Sequence, residues 1–349
     1  MSKMTRVLEA ALAAASVVCM GFCASVASAE EYRPQVAAHR GASAYLPEHT
    51  LEAKAMAYAL GADYIEQDVV MSKDGRLMVM HDVYIDTTTD VAKKFPGRAR
   101  EDGRYYACDF TYDELRSLRV TERFNPKTGK PVFSGRFPDS PIDYQIPSLE
   151  EEFYQVQGLN KSTGRDVSVY VEVKEPDFFT AQGLDILKAT IDTMTEFGYN
   201  TPDSKAILQI FDYEAVVRSR ELGWKGELAM LVTAGGQGLK DDAARHAWLM
   251  TDEGLADVAK YATIYAPSFS LLAPANADGT GYTISDLGER AKAAGMKLHA
   301  WTLRADSLPK GFKNFDEVLD ASFKVIKVDG MFSDFTDLLV NYLKANGMR

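Results

Sequence analysis

Short apolar runs alternate with helical runs along most of this chain, and no other feature constrains the fold so strongly. Strand-like runs lie at 36–38, 64–70, 77–80, 167–173, 206–210, 228–232, 263–266, 297–302 and 325–328. Helical spacing fills most of the gaps, at 50–60, 183–197, 213–222, 251–261, 284–294 and 336–344. Strands that alternate with helices build parallel βαβ units. About eight such units predict an α/β fold, a (β/α)8 TIM barrel whose site lies at the C-terminal strand ends. A doubly wound open sheet is the rival topology. No G-x-G-x-x-G follows the first strand, so a dinucleotide site has no support.

Composition bounds the partners. The 349 residues are 46% hydrophobic and 26% charged, which excludes disorder, collagen and coiled coil for the whole chain. A net charge of -11 disfavours nucleic acid and anionic membranes, because phosphate-rich surfaces require clustered Lys and Arg.

The N-terminus reads as a leader. Lys3 and Arg6 form a short basic region, residues 10–26 are apolar and uncharged, and Ala27-Ser28-Ala29 matches a small-residue cleavage site. Residues 1–29 are expected to be a cleaved signal peptide, residues 30–349 one barrel domain, and the location periplasmic. No later run of about 18 apolar residues follows, so no stable membrane anchor is expected. Cys19 and Cys23 would leave with the leader, and Cys108 alone cannot form an internal disulfide.

Residues 82–146 break the alternation. They hold 11 Lys/Arg and 11 Asp/Glu, many aromatics, and little apolar periodicity. They are expected to form an inserted lobe between early strands, capping one face of the barrel. A segment of this length is either functional or a folded elaboration.

Chemistry concentrates at the strand ends. Glu66 and Asp68 alternate along one strand, so both point the same way. Glu172 sits near the end of another strand, in Val171-Glu172-Val173-Lys174. Buried acids need partners, and three such oxygens suit Ca²⁺ or Mg²⁺. Taken alone, the acids favour a salt-bridge reading, with Lys174 the obvious partner. His39 and His81 shift that balance, because each directly follows a strand. Two imidazoles at a barrel mouth equip a site for general acid–base cleavage of a phosphodiester. Arg40 offers a planar fork to a phosphate, and Gly41 lets backbone approach a ligand. His49 opens a helix and is expected to be structural, His246 to be exposed in a polar loop, and His299 to be core or supporting.

Several motifs together carry a family resemblance. His39-Arg40-Gly41, Pro47-Glu48-His49-Thr50, Glu66-Gln67-Asp68, His81-Asp82, Trp301-Thr302 and Ser333-Asp334-Phe335 strongly resemble the glycerophosphodiester phosphodiesterases. The Tyr105-Tyr106 and Gly135-Arg136-Phe137-Pro138 segments look closest to the bacterial periplasmic branch. Many members read Pro-Glu-Asn-Thr where this chain has His49.

The resemblance implies a barrel hydrolase that cleaves glycerophosphodiesters to sn-glycerol 3-phosphate and an alcohol. It implies His39 and His81 as the acid–base pair, and Glu66, Asp68 and Glu172 as ligands of one divalent cation, Ca²⁺ ahead of Mg²⁺. It further implies that Arg40, Glu48, Lys174, Gln209, Phe211 and Trp301 bind substrate, although core packing is the rival for Phe211 and Trp301. Two other readings stay open: a phospholipase D-like enzyme acting on lysolipids, and a non-catalytic binding protein on the same fold. A homodimer is compatible with a barrel of this size.

Overall fold

The computed structural model of the protein describes residues 32–236, 239 and 242–349. The expected leader lies outside the described residues. Residues 33–349 form one compact unit. Its strands are β1 (Gln35–Ala38), β2 (Tyr64–Met71), β3 (Leu77–Val79), β4 (Ser168–Val173), β5 (Ile207–Ile210), β6 (Glu227–Val232), β7 (Ile264–Pro267), β8 (Lys297–Leu303) and β9 (Gly330–Ser333). Eight are parallel, and β1 pairs with both β2 and β9, which closes the sheet into a TIM barrel. β3 stands outside the ring, paired antiparallel to the end of β2 with Val79 opposite Val69.

Two expectations fail. The run 325–328 is not a strand. Helix Phe315–Asp320, capped by Asn314, continues as a π-helical turn over Ala321–Ile326 and ends at left-handed Lys327. The last strand begins at Gly330, a position that only glycine fills, because a Cβ there would lie 2.8 Å from the ring of His299. His246 is not exposed. It lies in helix Ala243–Leu249, fully buried, with Asp242 3.2 Å from its Nε2. Leu149–Thr163 adds a helix that apolar spacing alone does not mark, closed at its start by a Ser148–Glu151 capping box.

Strand side chains alternate, so each inward face can be read at every second residue. The barrel floor is apolar: Ala37, Tyr64, Tyr170, Ile207, Ala229, Ile264 and Phe332 pack together, with Tyr170 and Phe332 ring centres 4.7 Å apart. Two residues further along the same strands stand His39, Glu66, Glu172, Gln209 and Asp334. The sequence parity therefore stacks a polar layer on an apolar plug at the C-terminal rim. Residues 82–146 follow β3 and contain three short helical segments and scattered bridges.

Candidate active site

The polar layer opens into a cavity of about 460 Å³ at the barrel mouth, lined by His39, Arg40, Glu66, His81, Glu172 and Gln209, with Phe211 and Trp301 on the far wall. Phe211 meets Trp301 edge to face at 5.4 Å, and Trp301 Nε1 donates to the Ala266 carbonyl. Core packing and site lining are thus the same role for these two rings.

The chain enters the site through a tight turn after β1. Arg40 and Gly41 both have positive φ, 60° and 87°. Gly41 is needed because a Cβ would fall 2.8 Å from the Ala53 carbonyl carbon, in helix Leu51–Leu60. The turn aims the Arg40 N–H at Glu66 Oε2, 2.5 Å away, and Arg40 Nη1 at Glu48 Oε1, 3.0 Å away.

Glu66, Asp68 and Glu172 are buried and offer oxygens within 4.8 Å of one another. Register explains the grouping, since Asp68 lies opposite Glu172, and Glu172 opposite Gln209. Burial, reinforced by Asp68, raises Glu66 well above the usual carboxylate range. Burial also lifts Glu172 to about 8, against the pull of Lys174. Asp68 is held low in spite of burial by Lys174, His81 and His49. Its Oδ1 is buried without a hydrogen-bond partner. A cluster of acids that cannot all ionise by themselves, with an unspent oxygen, fits a hard divalent cation.

Both histidines are fixed through Nδ1. His39 Nδ1 lies 2.6 Å from Asp334 Oδ1, and His81 Nδ1 lies 2.6 Å from Asp82 Oδ1. That leaves Nε2 of each ring for the cavity. Burial, then the charge of Arg40, holds both imidazoles down to about 4. Arg304, His39 and Arg136 overcome the burial of Asp334 and keep it ionised. His81 and Arg123 do the same for Asp82.

Two expected substrate residues stand behind the wall rather than on it. Neither Glu48 nor Lys174 lines the cavity. Glu48 is locked between Arg40 and Arg123, and Lys174 Nζ contacts Glu172 at 2.5 Å. His49 Nε2 meets Asp68 Oδ2 at 2.7 Å, a supporting role in line with expectation. His299 lies in the buried core against Tyr170. Sequence reasoning gave no role to Asp82, Asp334, Arg123, Arg136 or Arg304. The parity Ala37–His39 beside Phe332–Asp334 is the signal that would have found Asp334.

Comparisons with known proteins give the family. The model of the glycerophosphoryl diester phosphodiesterase family matches residues 39–338. The chain is 38% identical to a glycerophosphodiester phosphodiesterase of Haemophilus influenzae, over 88% of this chain and 89% of that one. It is 33% identical to another from Treponema pallidum, over 92% and 95%. An Oleispira antarctica phosphodiesterase, solved with the product sn-glycerol-3-phosphate, shares the fold with a TM-score of 0.60 at 20% identity, over 90% of this chain and 98% of that one. The fold and the family match are those of a phosphoric diester hydrolase on a TIM barrel. The chain belongs to the glycerophosphoryl diester phosphodiesterase family.

Proposed function

We propose that the protein hydrolyses glycerophosphodiesters to sn-glycerol 3-phosphate and an alcohol, with one divalent cation and two histidines. The observation that carries this reading is the pair of Nδ1-anchored imidazoles facing one cavity beside a three-carboxylate cluster. Glu66, Asp68 and Glu172 would hold the cation, which neutralises charge on the phosphate when bound. We take Ca²⁺ ahead of Mg²⁺ for an exported enzyme.

Arg40 binds a phosphate oxygen with its fork, and Phe211 and Trp301 exclude water from the apolar side of the substrate. One histidine accepts the proton of the substrate's 2-hydroxyl through Nε2. That oxygen attacks phosphorus while the bond to the alcohol oxygen breaks. The other histidine, protonated, gives its proton to the departing alkoxide. Water then opens the resulting cyclic phosphate with the two roles exchanged. Asp82 and Asp334 stabilise whichever ring is cationic, and the anionic diester between the rings favours that charge.

The test is release of sn-glycerol 3-phosphate from glycerophosphocholine, with EDTA and with Ca²⁺ or Mg²⁺ restored. Loss with EDTA and rescue by a cation is expected, with each of His39→Ala and His81→Ala losing on the order of 10²-fold or more in turnover. A near-normal rate in either variant removes that histidine from the mechanism. Cleavage of a substrate lacking the 2-hydroxyl at a normal rate would replace the cyclic route by direct attack of water. Export is part of the same proposal, and N-terminal sequencing of the protein from the periplasm should begin at Glu30.

A further inference from the structure

The proposed chemistry requires both imidazoles to keep fixed orientations, and the part played by the 82–146 lobe rests on that reading. Each histidine uses one oxygen of its carboxylate, and an arginine of the lobe holds the other. Arg136 Nη2 donates to Asp334 Oδ2 at 2.7 Å. Arg123 Nη1 donates to Asp82 Oδ2 at 2.5 Å. Both guanidinium groups are anchored a second time. Arg136 holds Asp306 at 2.8 and 3.1 Å, and Arg123 holds Glu48 at 3.0 and 2.6 Å.

One segment carries both arginines, Arg123 at the base of a hairpin and Arg136 in the turn that follows its returning arm. The Val132 N–H donates to the Arg123 carbonyl at 2.9 Å, and the Asn125 N–H to the Lys130 carbonyl at 2.8 Å. The Phe124 N–H donates to Thr87, which tethers the hairpin to the segment after His81. Residues 125–132 are all exposed, so this stretch adds nothing to a core. The Arg136 side chain, by contrast, is only 5% exposed and the Arg123 side chain 17%. Both arginine side chains of the segment thus turn inward, onto the backs of the two histidine–carboxylate pairs.

We propose that segment 123–136 is the positioning element of the reaction, Arg123 fixing His81 through Asp82 and Arg136 fixing His39 through Asp334. The two roles are unequal. Asp334 has a second arginine, Arg304, whose Nε lies 2.7 Å away, whereas among the described residues the second donor to Asp82 Oδ2 beside Arg123 is the Thr87 hydroxyl at 3.1 Å. Arg123 also steadies Arg40 through their shared Glu48. Arg123→Ala should therefore lower kcat and raise KM, while Arg136→Ala should lower kcat alone and by less. Lysine cannot replace either fork, because a point charge does not span two carboxylates.

The test compares the full-length protein and its Arg123→Ala and Arg136→Ala variants on two esters, with the divalent cation present. One is glycerophosphocholine, whose leaving alkoxide needs a proton. The other is the p-nitrophenyl ester of glycerol 3-phosphate, whose leaving group does not. On glycerophosphocholine the expected kcat losses are about 10–100-fold for Arg123→Ala, and near the lower end of that range for Arg136→Ala. On the p-nitrophenyl ester, the variant that loosens the general acid should return to within a few-fold of the wild-type kcat, and the other should not. Equal losses on both esters in both variants would indicate general loosening and overturn the inference, as would recovery of both variants or no loss in either. If an alanine variant fails to fold by thermal melting, Arg123→Lys and Arg136→Lys are read by the same criteria. A wild-type protein inactive on both esters would sink the proposed function instead, so the two failures are distinguishable.

Discussion

Replacing Asp334 with Asn exposes how strictly the site dictates one proton. Both oxygens of Asp334 are committed, Oδ1 to His39 Nδ1 at 2.6 Å and Oδ2 to Arg136 Nη2 and Arg304 Nε at 2.7 Å each. An amide has one acceptor end and one donor end. Two guanidinium donors demand the carbonyl oxygen at the Oδ2 position, so the NH₂ must face His39. Nδ1 then has to accept, and the ring proton moves to Nε2, the nitrogen that serves the cavity. In that tautomer His39 cannot take a proton from substrate, and the imidazolium form would set N–H against N–H. Turning the amide round would leave buried donors unpaired on the arginine side, at about 1–3 kcal/mol each and more where charge is involved. The unproductive tautomer therefore dominates.

The expected loss is the full contribution of one general acid or base, about 10²–10⁴-fold in kcat, or roughly 3–5.5 kcal/mol of barrier. The side chain keeps its volume but two arginines lose their carboxylate, so the melting temperature should fall, and kcat is compared at a temperature where both proteins are folded. Steady-state release of sn-glycerol 3-phosphate from glycerophosphocholine measures the effect. A folded Asp334→Asn protein with kcat within tenfold of wild type would refute the tautomer argument.

Other perturbations separate the parts. Gly41→Ala forces a side chain into a left-handed turn against the Ala53 backbone, and should destabilise the protein by about 2–5 kcal/mol in urea unfolding. Unchanged stability would mean that the turn after β1 is looser than its contacts indicate. Ca²⁺ should raise the melting temperature of the chelated protein, and Glu172→Gln should weaken that rise sharply. An equal rise in both proteins would place the cation elsewhere. His299 is pushed down to about 3, first by burial and then by Lys297. A folded value below the unfolded 6.5 means the unfolded chain binds the proton first as pH falls. Wild type should therefore lose stability relative to His299→Gln from about pH 6.5 downward, by up to about 1.4 kcal/mol per pH unit. A stability difference that stays constant between pH 7 and 5 would contradict the buried neutral imidazole.

Legibility in the sequence tracks the range of the interactions involved. Glu66 and Asp68 are legible because strand parity is a local rule, and the apolar residues around them set the face they share. At Gly41 the special residue is legible but its reason is not, because the backbone it clears is that of Ala53 rather than a ligand. The run 325–328 misleads because β-branched residues imitate a strand, while the deciding signal is the Asn314 cap eleven or more residues upstream, which starts a helix that runs through Ile326. The true strand β9 opens on glycine and carries no β-branched residue, since its first position has to clear the His299 ring. His246 looks exposed because its neighbours in sequence are polar, yet its burial comes from packing in three dimensions. The arginine supports are the extreme case. Arg123 reaches Glu48 across 75 residues, and Arg136 reaches Asp334 across 198. No periodicity encodes such a contact, and a balanced, aromatic-rich insertion gives no hint that its charges point inward. The groups that would perform the chemistry belong to the barrel rim and can be read from short motifs. Of those that hold them in place, Asp334 and Arg304 also stand at the rim, while Arg123 and Arg136 come from residues 82–146, so only the folded chain brings the two sets together.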